Sequence, residues 1–506
     1  MSRTRRAGIT AAFGYVQFAV ALASGVLVVP LVLSRVPTAQ YGVWLAFGEV
    51  LAYSAMADFG VLGVLPWLVA ESDGRGNRRV VRALVASGVT LAAGAAALFL
   101  LLAGGAMFLA PAVADVAPGL RQALLGPLLL LVVGMAAGFP LRVYQSVLMG
   151  LQDVRFGGMV ALAQLVLGVA LTVGLLLGGF GLYALAASAV APSLAAGLAC
   201  RLRLGVLAPD LLRGRRLPRR TLLRAMATQG FGGWTSTMGW RMIAASDSLV
   251  VLAVAGPAAA VVFAMTAKLG EIAMQMSWQL PDATLVGLAQ LKGEGRPERV
   301  REVILSLVRL TLVGAGAVAC GVLAFNPSLV TLWVGGARFG GLALNAALAA
   351  EMLAHSLGHT LFTTAATVGA RVQAGWLSLL HGVVNLALAL PLGRAFGLPG
   401  VAAATVLSTL LVAVPAGGWM LRRSAGLDFA RLRGAVLGPW LARIAPLLAL
   451  GGAVGALSAR ALWAPLALAP FLAVLYLWVA RPLYASLPLP PRARRVLAAF
   501  RLVEAA

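Results

Sequence analysis

Lysine is nearly absent from this chain. Only Lys268 and Lys292 occur, followed by Leu and Gly, so no G-x-x-x-x-G-K-[ST] phosphate loop exists to drive ATP hydrolysis. Acidic residues are also few, 16 Asp and Glu against 40 Lys and Arg. Charged residues of both signs make up 11% of the 506 residues, where a soluble domain carries about 25%. There are two cysteines, Cys200 and Cys320. They are expected at opposite membrane depths, which excludes a disulfide between them. No stretch alternates apolar and polar residues in segments of roughly 10, so a β-barrel is excluded. No soluble segment is large enough to house an active site. The chain is not expected to be an enzyme, and no cofactor is expected.

What is present is apolar. Hydrophobic residues make up 61% of the chain, and runs of about 20, long enough to cross a bilayer, recur from end to end. The fold class read from this is an all-α polytopic membrane protein with about 14 transmembrane helices. The first six spans are Ile9–Ser34, Tyr41–Ala70, Val80–Leu109, Gln122–Gly150, Phe156–Leu177 and Leu182–Arg203. The next six are Thr228–Ala255, Ala259–Gln290, Val303–Phe325, Ala343–Ala370, Gln373–Arg394 and Pro399–Leu421. Two more follow, Val436–Leu457 and Leu462–Ala480.

The chain also repeats itself. Tyr41–Val80 resembles Phe263–Val300, with Glu49 answering Glu271 and Gly74-Arg75 answering Gly295-Arg296. Met149-Gly150 answers Val368-Gly369, and Phe180-Gly181-Leu182 answers Phe396-Gly397-Leu398. The offset drifts from 222 to 216 residues, as it does when loops change length after a duplication. This predicts two pseudo-symmetric six-helix lobes, 1–204 and 228–422, joined by a basic linker at 205–227. Two extra C-terminal helices (436–480) and a basic tail (481–506) complete the chain. Repeats in a membrane chain point to a secondary transporter that works by alternating access.

Basic residues set the orientation, because they favour cytoplasmic loops. Arg3, Arg5 and Arg6 precede the first span, and Arg75, Arg78, Arg79 and Arg82 follow the second. Arg213, Arg215, Arg216, Arg219, Arg220 and Arg224 follow the sixth. The alternation holds through every crossing, which predicts both termini in the cytoplasm. The net charge of +24 is thus topology, not a footprint for nucleic acid. The basic start resembles a signal peptide, but the apolar run continues to Leu33, so an uncleaved first helix is expected. The final residues, RRVLAAFRLVEAA, read as an interfacial helix. Arginine-rich, lysine-poor usage suits a GC-rich bacterium, and the expected location is its cytoplasmic (inner) membrane.

The candidate functional residues are polar ones inside spans, where a charge costs about 3 kcal/mol unless it meets water or a partner. Lys268, Glu271, Gln275, Gln279 and Asp282 fall within an arc of about 80° on the eighth span at 100° per residue. The stripe either lines water or begins with a simple Lys268–Glu271 pair. Glu351, His355 and His359 form a second stripe on the tenth span. It admits three readings: metal ligation, proton coupling, or a polar wall; no metal is assigned. On the seventh span Trp234 and Arg241 share a face, with Asp247 about 240° around from Arg241. In the first lobe Glu49 and Asp58 lie about 180° apart on one span. Arg142 and Arg309 sit toward cytoplasmic ends, where they either face a cavity or snorkel.

Tyr41-Gly42-Val43-Trp44, Asp58-Phe59-Gly60, the glycine-bearing basic loop Gly74–Arg79, Met149-Gly150-Leu151-Gln152 and Asp247 before the Gly256 turn together resemble polysaccharide and oligosaccharide flippases. These belong to the multidrug/oligosaccharidyl-lipid/polysaccharide (MOP) exporter superfamily, with the MATE drug exporters and the lipid II flippase. The resemblance covers the first twelve spans. It implies two lobes facing across a V-shaped cavity and an undecaprenyl-pyrophosphate-linked oligosaccharide as substrate, its tail held in membrane lipid. On that reading Arg241, Lys268, Arg142 and Arg309 receive the pyrophosphate, while Trp234, Tyr144, Gln275 and Gln279 suit sugar rings. Glu49, Asp58, Asp247, Glu271, Glu351, His355 and His359 are the candidates for H+ or Na+ coupling. Polysaccharide assembly proteins are the implied partners. Two alternatives stand beside it: a MATE-like cation-coupled multidrug exporter, which favours acidic over basic groups in its cavity, and a non-transporting scaffold in envelope assembly.

Overall fold

A chain this apolar must satisfy its backbone polar groups internally, and helices do so. The computed structural model describes residues 3–113, 118–212, 220–244, 246–459 and 461–485, and every regular element among them is helical. The first half contains α1 (Arg3–Arg35), α2 (Thr38–Ser54), α3 (Val61–Gly74), α4 (Arg78–Val113), α5 (Pro118–Gly150), α6 (Val154–Leu177) and α7 (Leu182–Leu207). Then come α8 (Arg220–Ala244), α9 (Asp247–Ala255), α10 (Pro257–Gly293), α11 (Pro297–Val334), α12 (Gly341–Ala365) and α13 (Arg371–Phe396). The last are α14 (Leu398–Ser408), α15 (Val414–Ala425), α16 (Gly438–Ala456) and α17 (Ala469–Tyr484). Most of the linker arginines, Arg213 to Arg219, and the whole expected interfacial tail lie outside the described residues.

Eleven helical segments are long and apolar enough to cross a membrane, and Ala23–Arg35 and Ala469–Tyr484 are shorter apolar ones. The protein is a multi-pass membrane protein. α12 is not among the eleven, because Asn345, Glu351, His355, His359 and four Ser or Thr residues dilute its apolar character. Trp67, Leu101, Leu202, Val206 and Trp478 stand exposed. In water such surface would aggregate; in a bilayer it meets acyl chains.

The chain divides into two compact units: Met1–Met238 with Gly256–Ala258, and Gly239–Ala255 with Ala259–Ala506. The division falls inside α8, beyond the expected linker at 205–227. Within the first unit α4 packs on α5, α5 and α6 on α7, and α1 on α6. Within the second, α11 packs on α12, α12 and α13 on α14, and α9 on α13. These are the same pairings six spans later, the structural counterpart of the sequence repeat. The two extra helices, α16 and α17, both pack on α11. Three hydrogen bonds to carbonyls anchor this corner. Trp440 Nε1 donates to Leu312 O (2.8 Å), Tyr476 OH to Val313 O (2.5 Å) and Arg309 to Ala435 O (3.0 Å).

The expected second span is broken. The second span stops at Ser54, makes one 3-10 turn, and restarts as α3. Phe59 (φ 47°) and Gly60 (φ 76°) are both left-handed there, which costs a non-glycine such as Phe59 about 1–2 kcal/mol. The Asp58 carboxylate offsets this cost by accepting from Gly60 N and Leu62 N, both at 3.2 Å, so it caps α3. Met56 O accepts from Phe59 N at 3.0 Å within the turn, and Trp234 Nε1 donates to the same carbonyl at 2.9 Å, which ties the break to α8. Its ring stacks on Phe231, with 5.4 Å between centroids. The 100° rule does not carry across this break, so the angular argument for Glu49 with Asp58 fails.

Asp58→Ala is expected to lower stability by about 1–2 kcal/mol, the usual worth of a lost cap. Asp58→Asn, which can still cap, loses less. Thermal unfolding in detergent measures both.

Candidate functional site

In the first unit the break at Asp58 opens onto a cavity of about 640 Å³, lined among others by Asp58, Phe59, Thr90, Thr228 and Phe231. Asp58 is also within electrostatic reach of Arg142, which lies over the Phe139 ring at 5.3 Å. Tyr144 sits under Arg201, 5.9 Å away. Glu49 is half-buried on α2. Trp234, read from sequence as a sugar platform, is occupied by its bond to the broken helix.

In the second unit the α10 stripe has two parts. Lys268 and Glu271 pair at 3.9 Å, with side chains 41% and 51% exposed, and Gln275 is exposed beside them. Glu271 also faces Glu351 on α12, and Glu351 in turn feels Asp247 at the start of α9. Glu351 Oε2 is buried without a hydrogen-bond partner. Arg241 is exposed in the last turn of α8, a position the helix dipole favours. Arg309 donates to Ala435 O and so ties α11 to the turn before α16. The Gln279 side chain lies outside the described residues.

The lower part of the stripe meets the α12 histidines. Asp282 accepts from His359 Nε2, at 3.0 and 3.2 Å to its two oxygens. Trp278 stacks on His359 (4.4 Å, 9° between planes) and Trp240 on His355 (4.8 Å, 16°). Trp278 Nε1 donates to Ser356 Oγ at 2.9 Å, which fixes the ring. Across a small cavity lies His381 on α13, its Nε2 at 3.2 Å from Ser408 Oγ and 3.3 Å from Thr409 Oγ1. Among the described residues no group of three His, Cys, Asp or Glu side chains is arranged to hold a metal ion.

Sequence reading missed His381, Trp240 and Trp278. His381 stands alone in an apolar span, and a tryptophan in such a span looks like any core residue. Their common signal was the i, i+4 pair His355–His359, which needed partners from other helices.

A third feature of the second unit is apolar. A groove of about 290 Å³ runs along α11, α16 and α17, past Cys320, Phe325, Leu447, Leu472 and Leu477.

Internal helical repeats, an interrupted span and intramembrane charges recur in the folds of secondary transporters. No family model matches the sequence, and no curated protein does. Solved structures match. An inward-facing conformation of a multidrug resistance MATE family transporter of the MOP superfamily aligns over 81% of this chain and 95% of that one, at 16% identity and a TM-score of 0.67. An outward-facing conformation of such a transporter aligns over 81% and 94%, at 16% identity and a TM-score of 0.54. A MOP superfamily transporter from Pyrococcus furiosus Vc1 (DSM3638), described as having a binding pocket of reverse polarity that suggests a different function, aligns over 84% and 94%, at 16% identity and a TM-score of 0.55. The chain has the fold of the MATE transporters of the MOP superfamily.

Proposed function

We propose that the protein is a flippase that moves an undecaprenyl-pyrophosphate-linked oligosaccharide across the bacterial cytoplasmic membrane by alternating access. The observation that carries this reading is the exposed polar stripe Lys268–Glu271–Gln275 on an otherwise apolar helix. Such side chains repay their insertion cost only against water or a polar cargo. Arg241, exposed in the same unit, adds positive charge suited to a pyrophosphate. The apolar groove along α16 and α17 suits a prenyl tail, so one unit offers surfaces for both ends of an amphiphile. The reversed pocket polarity described for the Pyrococcus protein supports using pocket charge to separate substrates within this fold.

Purified protein in liposomes tests the reading. A fluorescent undecaprenyl-pyrophosphate disaccharide placed in one leaflet should equilibrate to the other. No acceleration over protein-free liposomes contradicts the proposal. Export of organic cations is the second reading, and it draws on the neighbouring carboxylates Asp247, Glu271 and Glu351. Uptake of a cationic dye in the same liposomes, with no lipid flipping, would favour it. For the groove, Leu472→Arg is expected to slow flipping about tenfold or more, because a charge there opposes an alkyl chain. Initial flipping rates at matched protein density measure it.

A further inference from the structure

All three histidines of the chain, His355, His359 and His381, line one cavity in the second unit. In a chain of 506 residues that concentration demands a physical account. The cavity measures about 10 Å³, the room that one water centre needs. His355 is 8% exposed, and its Nε2 is buried without a hydrogen-bond partner. A buried polar atom beside a water-sized space is satisfied by water.

We propose that this cavity holds one water and binds a transported proton, with His359, His355 and His381 as a relay, so that the coupling ion is H+. The proposal rests on the transporter reading above and names its energy source. A proton taken up at His359 is held as an imidazolium against the Asp282 carboxylate, 3.0 Å away. The stacked Trp278 face adds a cation–π partner. His359 keeps its Nε2–H on Asp282 and gives its Nδ1 proton to the water; the water passes one of its own to His355 Nε2, so His359 and the water return to neutral and His355 carries the charge. Trp240 then offers the same stacking to His355. At the far side Ser408 donates its own hydrogen to Thr405 O at 3.1 Å, so it presents a lone pair to His381 Nε2.

The surrounding charges are few and of one trend. Asp282 and Glu271 come from α10, Asp247 from α9 and Glu351 from α12 itself. Lys268 is engaged with Glu271. Arg241 on α8 is exposed, next to Trp240. Among the described residues the cavity wall from α8, α12, α13 and the turn after α14 holds no other titratable side chain. A chain of three histidines leading from carboxylates to a single enclosed water suits a mobile proton. It does not suit Na+, which wants several oxygen ligands.

The test needs no cargo. Protein labelled with ¹⁵N-histidine in lipid nanodiscs gives three pairs of imidazole signals and no background from other side chains, and these are followed from pH 4 to pH 9. The expected result is coupled titration: His355→Gln shifts the titration midpoints of both remaining histidines, and D2O slows pH-jump relaxation of the wild type several-fold. Three independent titrations, with midpoints unmoved by His381→Asn or by His355→Gln, overturn the relay even if lipid flipping is confirmed. Coupled titration with no lipid flipping upholds the relay and rejects the proposed cargo. In liposomes that flip lipid, an inward pH gradient should change the initial rate at least tenfold, and His359→Gln should remove that dependence. Na+ dependence without pH dependence overturns the proposal.

Discussion

Alanine at Arg241 or Lys268 is expected to abolish export of the lipid-linked sugar while the protein remains in the membrane at its normal level. Both side chains are exposed, so truncation leaves no cavity, and an exposed ion pair such as Lys268–Glu271 is worth only about 0–1 kcal/mol. On the proposed function their value lies in the cargo. A hydrogen bond to a charged group contributes about 1.5–3 kcal/mol, so losing one weakens pyrophosphate binding roughly 10- to 140-fold. Lys268→Ala carries a further penalty, because Glu271 then faces both Glu351 and the approaching phosphates without its counter-ion. Lys268→Arg keeps the charge and should retain most activity. Flipping rates and membrane protein levels, measured together, check this. Undiminished flipping in both alanine variants contradicts a phosphate role for either residue.

The second large effect is steric. Gly239 on α8 lies against the backbone of α13, where an added Cβ would stand 2.2 Å from Ser378 C and 2.3 Å from its O. Gly382, one turn further along α13, faces Met242 and Gly239 O in the same crossing. This contact sets Trp240 and His381 on opposite sides of one small cavity. Gly239→Val must push two backbones apart, and overpacking of a core costs about 1–3 kcal/mol even where side chains can yield. We expect loss of the folded peak in size-exclusion chromatography in detergent, or a fall in Tm of several degrees with loss of the coupled histidine signals. Gly233→Ala on the same helix meets nothing within 4 Å and is the control. It should be neutral or stabilising by up to about 1 kcal/mol, since alanine restrains the unfolded chain. Equal behaviour of the two variants contradicts the close crossing.

Much of this fold is legible in the residues alone, because lipid forces long apolar helices and duplication leaves marks at fixed offsets. Glu49 with Glu271 and Phe180 with Phe396 located the repeat, and the recurring helix pairings match it. The break at Asp58 was not legible. The apolar run from Tyr41 to Ala70 has no local stop signal that outweighs its length. The interruption depends on Asp58 capping α3 and on Trp234 reaching Met56 from 178 residues away. Each half of the histidine site was visible as a stripe, Asp282 on one helix and His359 on another. Joining them needed the contact across 77 residues that only the packed helices provide. Periodicity tells which face a residue takes and not what that face meets.

The account turns on whether the α10 stripe touches water in the working protein. With Cys200 and Cys320 replaced, Gln275→Cys is treated in liposomes with a membrane-impermeant maleimide, with and without the lipid-linked sugar. The account predicts labelling of Gln275→Cys and protection by the sugar. Complete absence of labelling in every condition would leave no path for a hydrophilic head group and would contradict the proposed function.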